Sequence, residues 1–331
     1  MSQWIKSNSF LLGLLGMVGL AWMTPEWGAQ GGVLMSEMTR RIAVFLIFLV
    51  QGLSLPTEEL KRGLGQWRLH AFVLGWNYIG LPVLALSGVT LFREVIPAEI
   101  AFGFVYLGIL PTTITSAVFF TSAAKGDVAV SVFSTVVSNL ISVILVPLGV
   151  ALFLLEGGGA EGSLAVMLWK LCQLIVFPMA LGQLLRPALS RWIPRMKPWF
   201  KRVTTVSIFF VMYSTFCDGV KSAVWAELGW MAVALAMVGA LGLLLIESVL
   251  VWWSSGWIGF PRPGRIAAFL CASQKSLATG VPMAVSIFGL GVGSVGVPEV
   301  SVIVLPLMCF HVFQLILAAK LADYFARGDR G

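Results

Sequence analysis

The chain has 331 residues, of which 58% are hydrophobic and 11% charged, and its mean hydropathy is +0.93. So little charge excludes an ordinary water-soluble domain of this length and indicates an integral membrane protein. The net charge of +7 does not indicate nucleic-acid binding, because the basic residues lie between apolar runs rather than on one face. We therefore expect contact with the lipid bilayer and none with nucleic acid.

Apolar runs long enough to cross a bilayer recur along the whole chain. A membrane-spanning helix needs about 20 mostly apolar residues, and ten segments meet or approach this length. They cover residues 9–24, 40–55, 69–91, 98–123, 128–154, 163–185, 203–222, 229–254, 264–289 and 297–325. The connections between them are short, so the sequence predicts an all-α membrane protein with ten transmembrane helices and no soluble domain.

The basic residues between these segments predict the orientation. With a cytoplasmic N-terminus, most of the 22 lysines and arginines lie on the cytoplasmic side. This group consists of Lys6, Lys61, Arg62, Arg68, Lys125, Arg186, Arg191, Arg195, Lys197, Lys201, Arg202, Arg262, Arg265, Lys320, Arg327 and Arg330. The opposite side holds Arg40, Arg41, Arg93 and Lys221. This positive-inside pattern and the even number of spans place both termini in the cytoplasm, across a plasma membrane or a bacterial inner membrane.

The ten segments divide into two related halves of five, residues 1–155 and 156–331. Segments 4 and 9 hold corresponding positions in the halves, and both are interrupted by proline and polar residues. Because five is an odd number, the second half enters the membrane from the opposite side. The sequence therefore predicts inverted five-helix repeats, an architecture typical of secondary transporters.

Segment 4 is interrupted at Pro111, which is followed by the hydroxyl residues Thr112, Thr113, Thr115 and Ser116. Proline cannot donate a backbone hydrogen bond and disturbs the preceding turn. Hydroxyl groups beside it can replace the lost helical bonds. This pattern favours a broken helix over a simple kink.

Segment 5 carries a polar stripe at helical spacing, formed by Ser131, Thr135, Ser138 and Ser142. Two interpretations are open for it, a polar site or the close packing that small residues allow in membranes. We assign Ser131 and Thr135 to the site and the rest of the stripe to packing.

Segment 9 places Ser273, Gln274, Lys275 and Ser276 near the middle of an apolar run. A lysine near the centre of a membrane helix costs roughly 2.5 to 3.5 kcal/mol to insert, so it needs a partner or water. Two broken helices in corresponding positions indicate a transport site at the bilayer midplane. The N-termini of half-helices there attract anionic groups.

Glu247 in segment 8 is the other notable charge within the membrane. Two interpretations are open. Glu247 pairs with Lys275, so that each charge neutralises the other, or it lies near the far interface beside Trp252 and Trp253 as a structural anchor.

The sequence offers no constellation for enzymatic chemistry. HExxH, GxSxG and P-loop motifs are absent, and the chain has two histidines. Its four cysteines lack metal-ligand spacing and are interpreted as small packing residues. We expect neither an enzyme nor a conventional cofactor.

Three stretches resemble the bile acid:sodium symporter superfamily, in the SBF-like branch whose vertebrate members are associated with calcium regulation. They are LVQGLSLP at 49–56, LPTTITSAVFFTSAAKGDVAVSVFSTVVSNLISVILVP at 110–147 and CASQKSLATGVPM at 271–283. The resemblance implies a panel domain of spans 1, 2, 6 and 7 and a core domain of spans 3–5 and 8–10. Discontinuous helices 4 and 9 are then expected to cross at their unwound centres.

The resemblance also implies two sodium sites. By this resemblance, the ligands of the first sodium site are Thr115, Ser116, Ser131 and Thr135, and those of the second are Asn77 and Gln274. The chain departs from the symporters at Leu270, where they have glutamate, and at Lys275, where they have asparagine. Two like unit charges 4 Å apart repel by about 4 kcal/mol at an effective dielectric of 20, so a charged Lys275 disfavours a neighbouring sodium ion. One hypothesis is that Lys275 acts as a built-in cation; another is that it carries a coupling proton.

The sequence thus predicts a secondary active transporter, a symporter of a small organic anion that works by alternating access, with sodium coupling implied by the resemblance. The residues expected at the crossover and substrate site are Pro111, Thr112, Thr113, Ser273, Lys275 and Ser276. The alternative is a membrane regulatory protein that influences calcium homeostasis or a partner complex without transporting an organic solute. Sequence alone specifies neither the substrate nor the stoichiometry, and a monomer is compatible with it.

Overall fold

The computed structural model describes residues 9–54, 64–153, 169, 172–289 and 297–327. This part of the chain is helical almost throughout and contains no strand. In an apolar environment a helix satisfies its own backbone hydrogen bonds, which explains the architecture. The main helices are α1 (Ser9–Met23), α2 (Ser36–Ser54), α3 (Trp67–Leu91), α4 (Ala98–Gly108), α5 (Thr115–Ala123), α6 (Val128–Phe153), α7 (Cys172–Leu189), α8 (Ile193–Lys221), α9 (Val224–Trp257), α10 (Arg262–Ala272), α11 (Leu277–Ala284) and α12 (Leu305–Arg327).

Several of these helices are suited to cross a bilayer. Six are long and apolar enough among the described residues: α3, α6, α7, α8, α9 and α12 with the turn before it, Val300–Arg327. α4 is a shorter apolar helix, as is Leu12–Met23 within α1. The chain is therefore an integral, multi-pass membrane protein.

Several helices extend beyond the approximate apolar segments predicted from the sequence. α2 begins at Ser36 rather than at 40, and α8 begins at Ile193 rather than at 203. The earlier start of α8 has a packing reason, because Ile193 and Phe200 are buried in one cluster with Val50 of α2. Hydropathy alone misses such basic, amphipathic helix ends.

Some predicted features lie outside the described residues. They include the start of segment 6, the end of the LVQGLSLP stretch and the basic residues Lys6, Lys61, Arg62 and Arg330.

The chain forms two compact units, each drawn from three separate stretches. The first comprises residues 1–55, 157–229 and 281–302, and the second comprises residues 56–156, 230–280 and 303–331. The backbone leaves the first unit at Gly229, where φ is +66° and α9 is interrupted. The predicted repeats, 1–155 and 156–331, concern internal symmetry rather than compactness, and they stay a prediction, as does the panel and core assignment.

In the first unit, α2 and α7 approach closely through glycines. A Cβ atom on Gly52 would collide with the backbone of Met179, and one on Gly182 would collide with the backbone of Leu49. Small residues allow this backbone contact, which is the usual basis of helix association in membranes. Gln183 Nε2 adds a hydrogen bond of 2.6 Å to the Gly52 carbonyl oxygen.

The first unit also contains a buried ion pair between α2 and α8. Arg40 Nη1 lies 2.6 Å from Asp218 Oδ2, and the Arg40 side chain is 4% exposed. The backbone N–H of Gln30 donates to the other carboxylate oxygen of Asp218 at 2.6 Å. Both oxygens of this carboxylate are therefore satisfied, as a buried charge requires.

The second unit carries the site. Its apolar core joins α9, α10 and α12 through residues such as Val251, Phe269 and Phe325. A second cluster joins α3, α5, α6 and α10. A π-helical turn at Trp76–Gly80 interrupts the regular bonding of α3. Such turns often mark functional sites because they alter the helical hydrogen-bond pattern.

Candidate functional site

Two helix interruptions meet in the second unit. One separates α4 from α5 at residues 109–114, and the other separates α10 from α11 at residues 273–276. They are in direct contact, because the Ser276 N–H donates to the Pro111 carbonyl oxygen at 2.9 Å. Helix ends leave carbonyl and N–H groups without intrahelical partners. The two interruptions therefore bring together backbone carbonyl and N–H groups that have no intrahelical partner.

Lys275 lies at this point and is completely buried. Its ammonium donates to three backbone carbonyl oxygens: Asn77 O at 3.1 Å, Gly108 O at 3.2 Å and Leu110 O at 2.7 Å. Gly108 is the last residue of α4, Leu110 lies in the interruption that follows it, and Asn77 belongs to the π-helical turn of α3. An ammonium has three donors, so this arrangement satisfies all of them. It is the coordination expected of a small cation held by backbone oxygens.

The backbone of Lys275 is hydrogen-bonded to a side chain of α12. The Lys275 N–H donates to Gln314 Oε1 at 2.7 Å, and Gln314 Nε2 donates to the Lys275 carbonyl oxygen at 2.9 Å. Gln314 Nε2 also lies 2.7 Å from His311 Nδ1. The Gln314 side-chain amide thus supplies the two hydrogen bonds that the backbone of Lys275 would make with other backbone groups inside a helix.

Asn139 of α6 connects the two interruptions. Its Nδ2 donates to the Thr112 carbonyl oxygen at 2.8 Å, and its Oδ1 accepts from Thr279 Oγ1 at 3.1 Å. The Thr112 N–H donates to Ser138 Oγ at 3.3 Å. Asn139 and Ser138 therefore belong to the site rather than to simple helix packing.

Ser276 starts the half-helix α11. The Thr279 N–H donates to Ser276 Oγ at 3.2 Å, which is the usual N-cap bond. By contrast, Ser273 Oγ donates to the Phe269 carbonyl oxygen of its own helix at 2.8 Å. Of the predicted crossover residues, Ser276 thus has a defined role in shaping the site.

Two predicted cation ligands are brought together across the interruptions. Ser116 Oγ donates to Gln274 Oε1 at 2.7 Å and to Thr113 Oγ1 at 3.2 Å. Thr115, its neighbour, is exposed and is not part of this group.

The remaining predicted ligands are hydrogen-bonded to other protein groups. Ser131 Oγ accepts from Thr121 Oγ1 at 3.3 Å and from Cys271 Sγ at 3.2 Å. Thr135 Oγ1 donates to the Val132 carbonyl oxygen of its own helix at 3.0 Å. Asn77 Nδ2 donates to the carbonyl oxygens of Val73 at 3.0 Å and Cys271 at 3.3 Å. The assignment of these residues to two sodium sites stays a prediction.

Comparison with known proteins decides the family. The model of the SBF-like CPA transporter family matches residues 8–327. The chain belongs to this family. The match confirms the resemblance and identifies the membrane helices as those of a transporter family, which is not a class of enzymes.

Relatives of this SBF-like CPA transporter span nearly the whole chain. This chain is 34% identical to an uncharacterized protein of Pseudomonas aeruginosa. It is also 34% identical to the Escherichia coli protein named "Putative symporter YfeH". Each match covers 97% of this chain and 93% of the relative. It is 28% identical to "Sodium/bile acid cotransporter 7" of Rattus norvegicus, over 96% of this chain and 92% of that protein. These names indicate membrane transport.

Glu247 of the transporter does not form the ion pair that the sequence left open. Neither of its carboxylate oxygens has a hydrogen-bond partner among the described residues, and the Lys275 ammonium is bound by carbonyls. Glu247 is completely buried in the protein, and its interpretation as an interfacial anchor stays a prediction. Glu247 and Lys275 nevertheless act on each other electrostatically.

Several residues of the site were missed by the sequence prediction. Gln314 and His311 lie in an apolar run of segment 10, and Asn139 lies beside the polar stripe of segment 5. Tyr106 donates to the Gly280 carbonyl oxygen at 2.7 Å. A buried amide in a membrane helix was the available signal for Gln314 and Asn139, because such groups need partners.

Proposed function

We propose that this protein is a secondary active transporter, a symporter that carries a small organic anion across the membrane by alternating access. The observation that supports it most is the buried ammonium of Lys275 at the contact between two interrupted helices. Positive charge fixed at that depth attracts an anion and repels a cation. The family assignment supports transport as such.

The anion would bind beside the interruptions rather than on the ammonium itself. Lys275 already uses its three donors on carbonyl oxygens. α5 and α11 both begin at the interruptions, and the first N–H groups of a helix attract anions. Thr113 and Ser116 add half-buried hydroxyls near the start of α5. In this proposal Lys275 supplies charge, and the half-helices supply hydrogen bonds.

The proposed architecture has ten transmembrane helices in two inverted five-helix repeats, with both termini in the cytoplasm. Helices 4 and 9 correspond to α4 with α5 and to α10 with α11. Alternating access would then move one group of helices against another around this crossover.

Sodium coupling is suggested by the names of the mammalian relatives. Two features of this chain count against a complete sodium site. Leu270 replaces the carboxylate expected on span 9, and the Lys275 ammonium, next in the chain to the expected ligand Gln274, repels a cation. We propose that the Lys275 ammonium takes the place of one cation.

The alternative, a regulatory membrane protein without transport, would be favoured by a dry crossover sealed by a Lys275–Glu247 pair. That bond is not formed, and the hydroxyls of Thr113 and Ser116 remain partly exposed. Both features favour the transporter.

The test is uptake by purified protein in proteoliposomes. A panel of radiolabelled carboxylates, sulfonates and phosphate esters is offered under an inward sodium or proton gradient. We expect at least one anion to accumulate with wild-type protein and with Lys320→Gln, an exposed lysine on α12. Accumulation should fail with Lys275→Gln. Accumulation of organic cations instead, or of no solute by folded wild-type protein, would contradict the proposal.

A further inference from the structure

Glu247 lies on the buried face of α9. Buried residues recur along this helix at Ala240, Leu244, Glu247 and Val251, a spacing of three or four residues. This face packs against other helices of the same unit, since Val251 lies in one apolar cluster with Phe269 of α10 and Phe325 of α12. The carboxylate therefore points into protein and not into lipid.

The carboxyl group of Glu247 is buried without a hydrogen-bonding partner in the described part of the chain. It is 0% exposed, and both oxygens lack hydrogen-bond partners among the described residues. The hydroxyl of the next residue, Ser248, is unpaired in the same way. Burying a charged carboxylate without hydrogen bonds is very costly, so the group needs a bound proton or a bound cation. An unpaired carboxyl inside a membrane protein is a functional candidate for that reason.

A small cavity lies beside this part of α9. Its lining includes Leu244, Leu270, Ser273, Gln274 and Gln314. Leu244 is one turn before Glu247 on the same buried face. Leu270 is the position at which the resemblance implies a glutamate. This chain therefore lacks a carboxylate on span 9 but has one on the neighbouring helix, one turn from the same cavity.

The charged surroundings of Glu247 decide which ion fits. Lys275 is the group that acts on it electrostatically. α9 contacts α3, α4, α10 and α12. The titratable residues of these four helices are Arg68, His70, Tyr78, Glu99, Tyr106, Arg262, Arg265, Cys271, Cys309, His311, Lys320, Asp323, Tyr324 and Arg327. Among these, Arg265 donates to the Trp252 carbonyl oxygen and to Ser255 Oγ, and His311 contacts Gln314. A metal cation close to the fixed Lys275 ammonium would be repelled. A proton adds no bulk and removes the buried negative charge.

We propose that Glu247 carries the coupling proton of this transporter. One proton adds to one carboxylate oxygen, and no other bond changes. With Glu247 ionised, the Glu247 and Lys275 charges cancel. With Glu247 protonated, the pair has a net charge of +1, and an anion is attracted to the crossover. Proton and anion binding then favour each other, as linkage requires.

This inference rests on the proposed function, but its first test needs no substrate. Infrared difference spectra of wild-type protein in nanodiscs are recorded across a pH titration. We expect a protonated-carboxyl stretching band that titrates, disappears in Glu247→Gln and persists in Glu227→Gln, an exposed glutamate at the start of the same helix. If Glu247→Gln does not fold, Glu247→Asp should shift the band. A spectrum in which no titrating band depends on residue 247 would overturn the proposal, while the proposed transport function would stand.

The second arm distinguishes a proton from sodium. Thermal stability is measured in sodium and in potassium at equal pH and ionic strength. We expect no sodium-specific stabilisation that depends on Glu247. Stabilisation by sodium that disappears in Glu247→Gln would show that the carboxylate binds sodium, and it would overturn the proposal.

The third arm uses an anion identified by the uptake screen. One linked proton predicts that its binding weakens about tenfold per pH unit above the titration midpoint. In Glu247→Gln this pH dependence should be lost while binding remains. A dependence that is unchanged in the variant would overturn the proposal.

Discussion

Replacing Lys275 with methionine should destabilise the second unit, and the contacts of its ammonium set the size of the effect. The variant removes three hydrogen bonds, of 2.7, 3.1 and 3.2 Å, from buried carbonyl oxygens. An unsatisfied buried polar group costs about 1–3 kcal/mol, so the three together cost about 3–9 kcal/mol. Methionine also removes the cost of burying an ammonium, which is several kcal/mol. We therefore expect a net loss of about 2–4 kcal/mol.

The loss can be measured as a fall in melting temperature in detergent. Replacing a buried ion pair with apolar residues is often neutral because both charged partners disappear. Here the carbonyl partners belong to the backbone and remain, so Lys275→Met should be clearly destabilising. Lys320→Met changes an exposed lysine on α12 and should alter stability by less than about 0.5 kcal/mol. A Lys275→Met protein as stable as the Lys320→Met control would refute the role assigned to the three carbonyl contacts.

Three further predictions concern other parts of the chain. Arg40→Met should cost about 3 kcal/mol, because it leaves the Asp218 carboxylate without its partner; a double-mutant cycle with Asp218→Asn should show coupling, and additive losses would contradict it. Gly52→Ala should cost about 1–3 kcal/mol by forcing α2 from α7, whereas Gly16→Ala, which has open space around its Cβ, should be near neutral in the same melting assay. Leu270→Glu should destabilise the protein without a sodium-specific gain, because it buries a carboxylate at a completely buried position and the nearby Lys275 ammonium repels sodium; a higher melting temperature in sodium than in potassium would contradict this.

The positions of the helices were largely predictable from hydropathy, because a long apolar run in a membrane has few alternatives to a helix. The proline and hydroxyl residues after Leu110 and the polar residues around Lys275 likewise indicated where helices would be interrupted. These signals are local, since each depends on residues close together in the chain. The starts of α2 and α8 were less predictable, because packing extends both helices into polar sequence.

The partners of the polar groups were not predictable from sequence. Lys275 binds the carbonyl oxygens of Asn77, Gly108 and Leu110. Because every residue has a backbone carbonyl, the sequence does not indicate which of them will bind the lysine. An ion pair with Glu247 was the obvious alternative, because it matches opposite charges. The structure instead satisfies the lysine with backbone carbonyls, and the Glu247 carboxyl has no hydrogen-bond partner within the part of the chain that the structure describes. Gln314 was missed because its role, pairing with the unwound backbone of Lys275, exists only after folding.

The central claim is that a fixed ammonium at the crossover replaces a bound sodium ion in the transport of an organic anion. The most direct measurement is uptake of an identified anion into proteoliposomes in sodium-free buffer under an inward proton gradient. We predict accumulation by wild-type protein without sodium and none by Lys275→Gln. Accumulation that requires sodium and survives Lys275→Gln would contradict the claim.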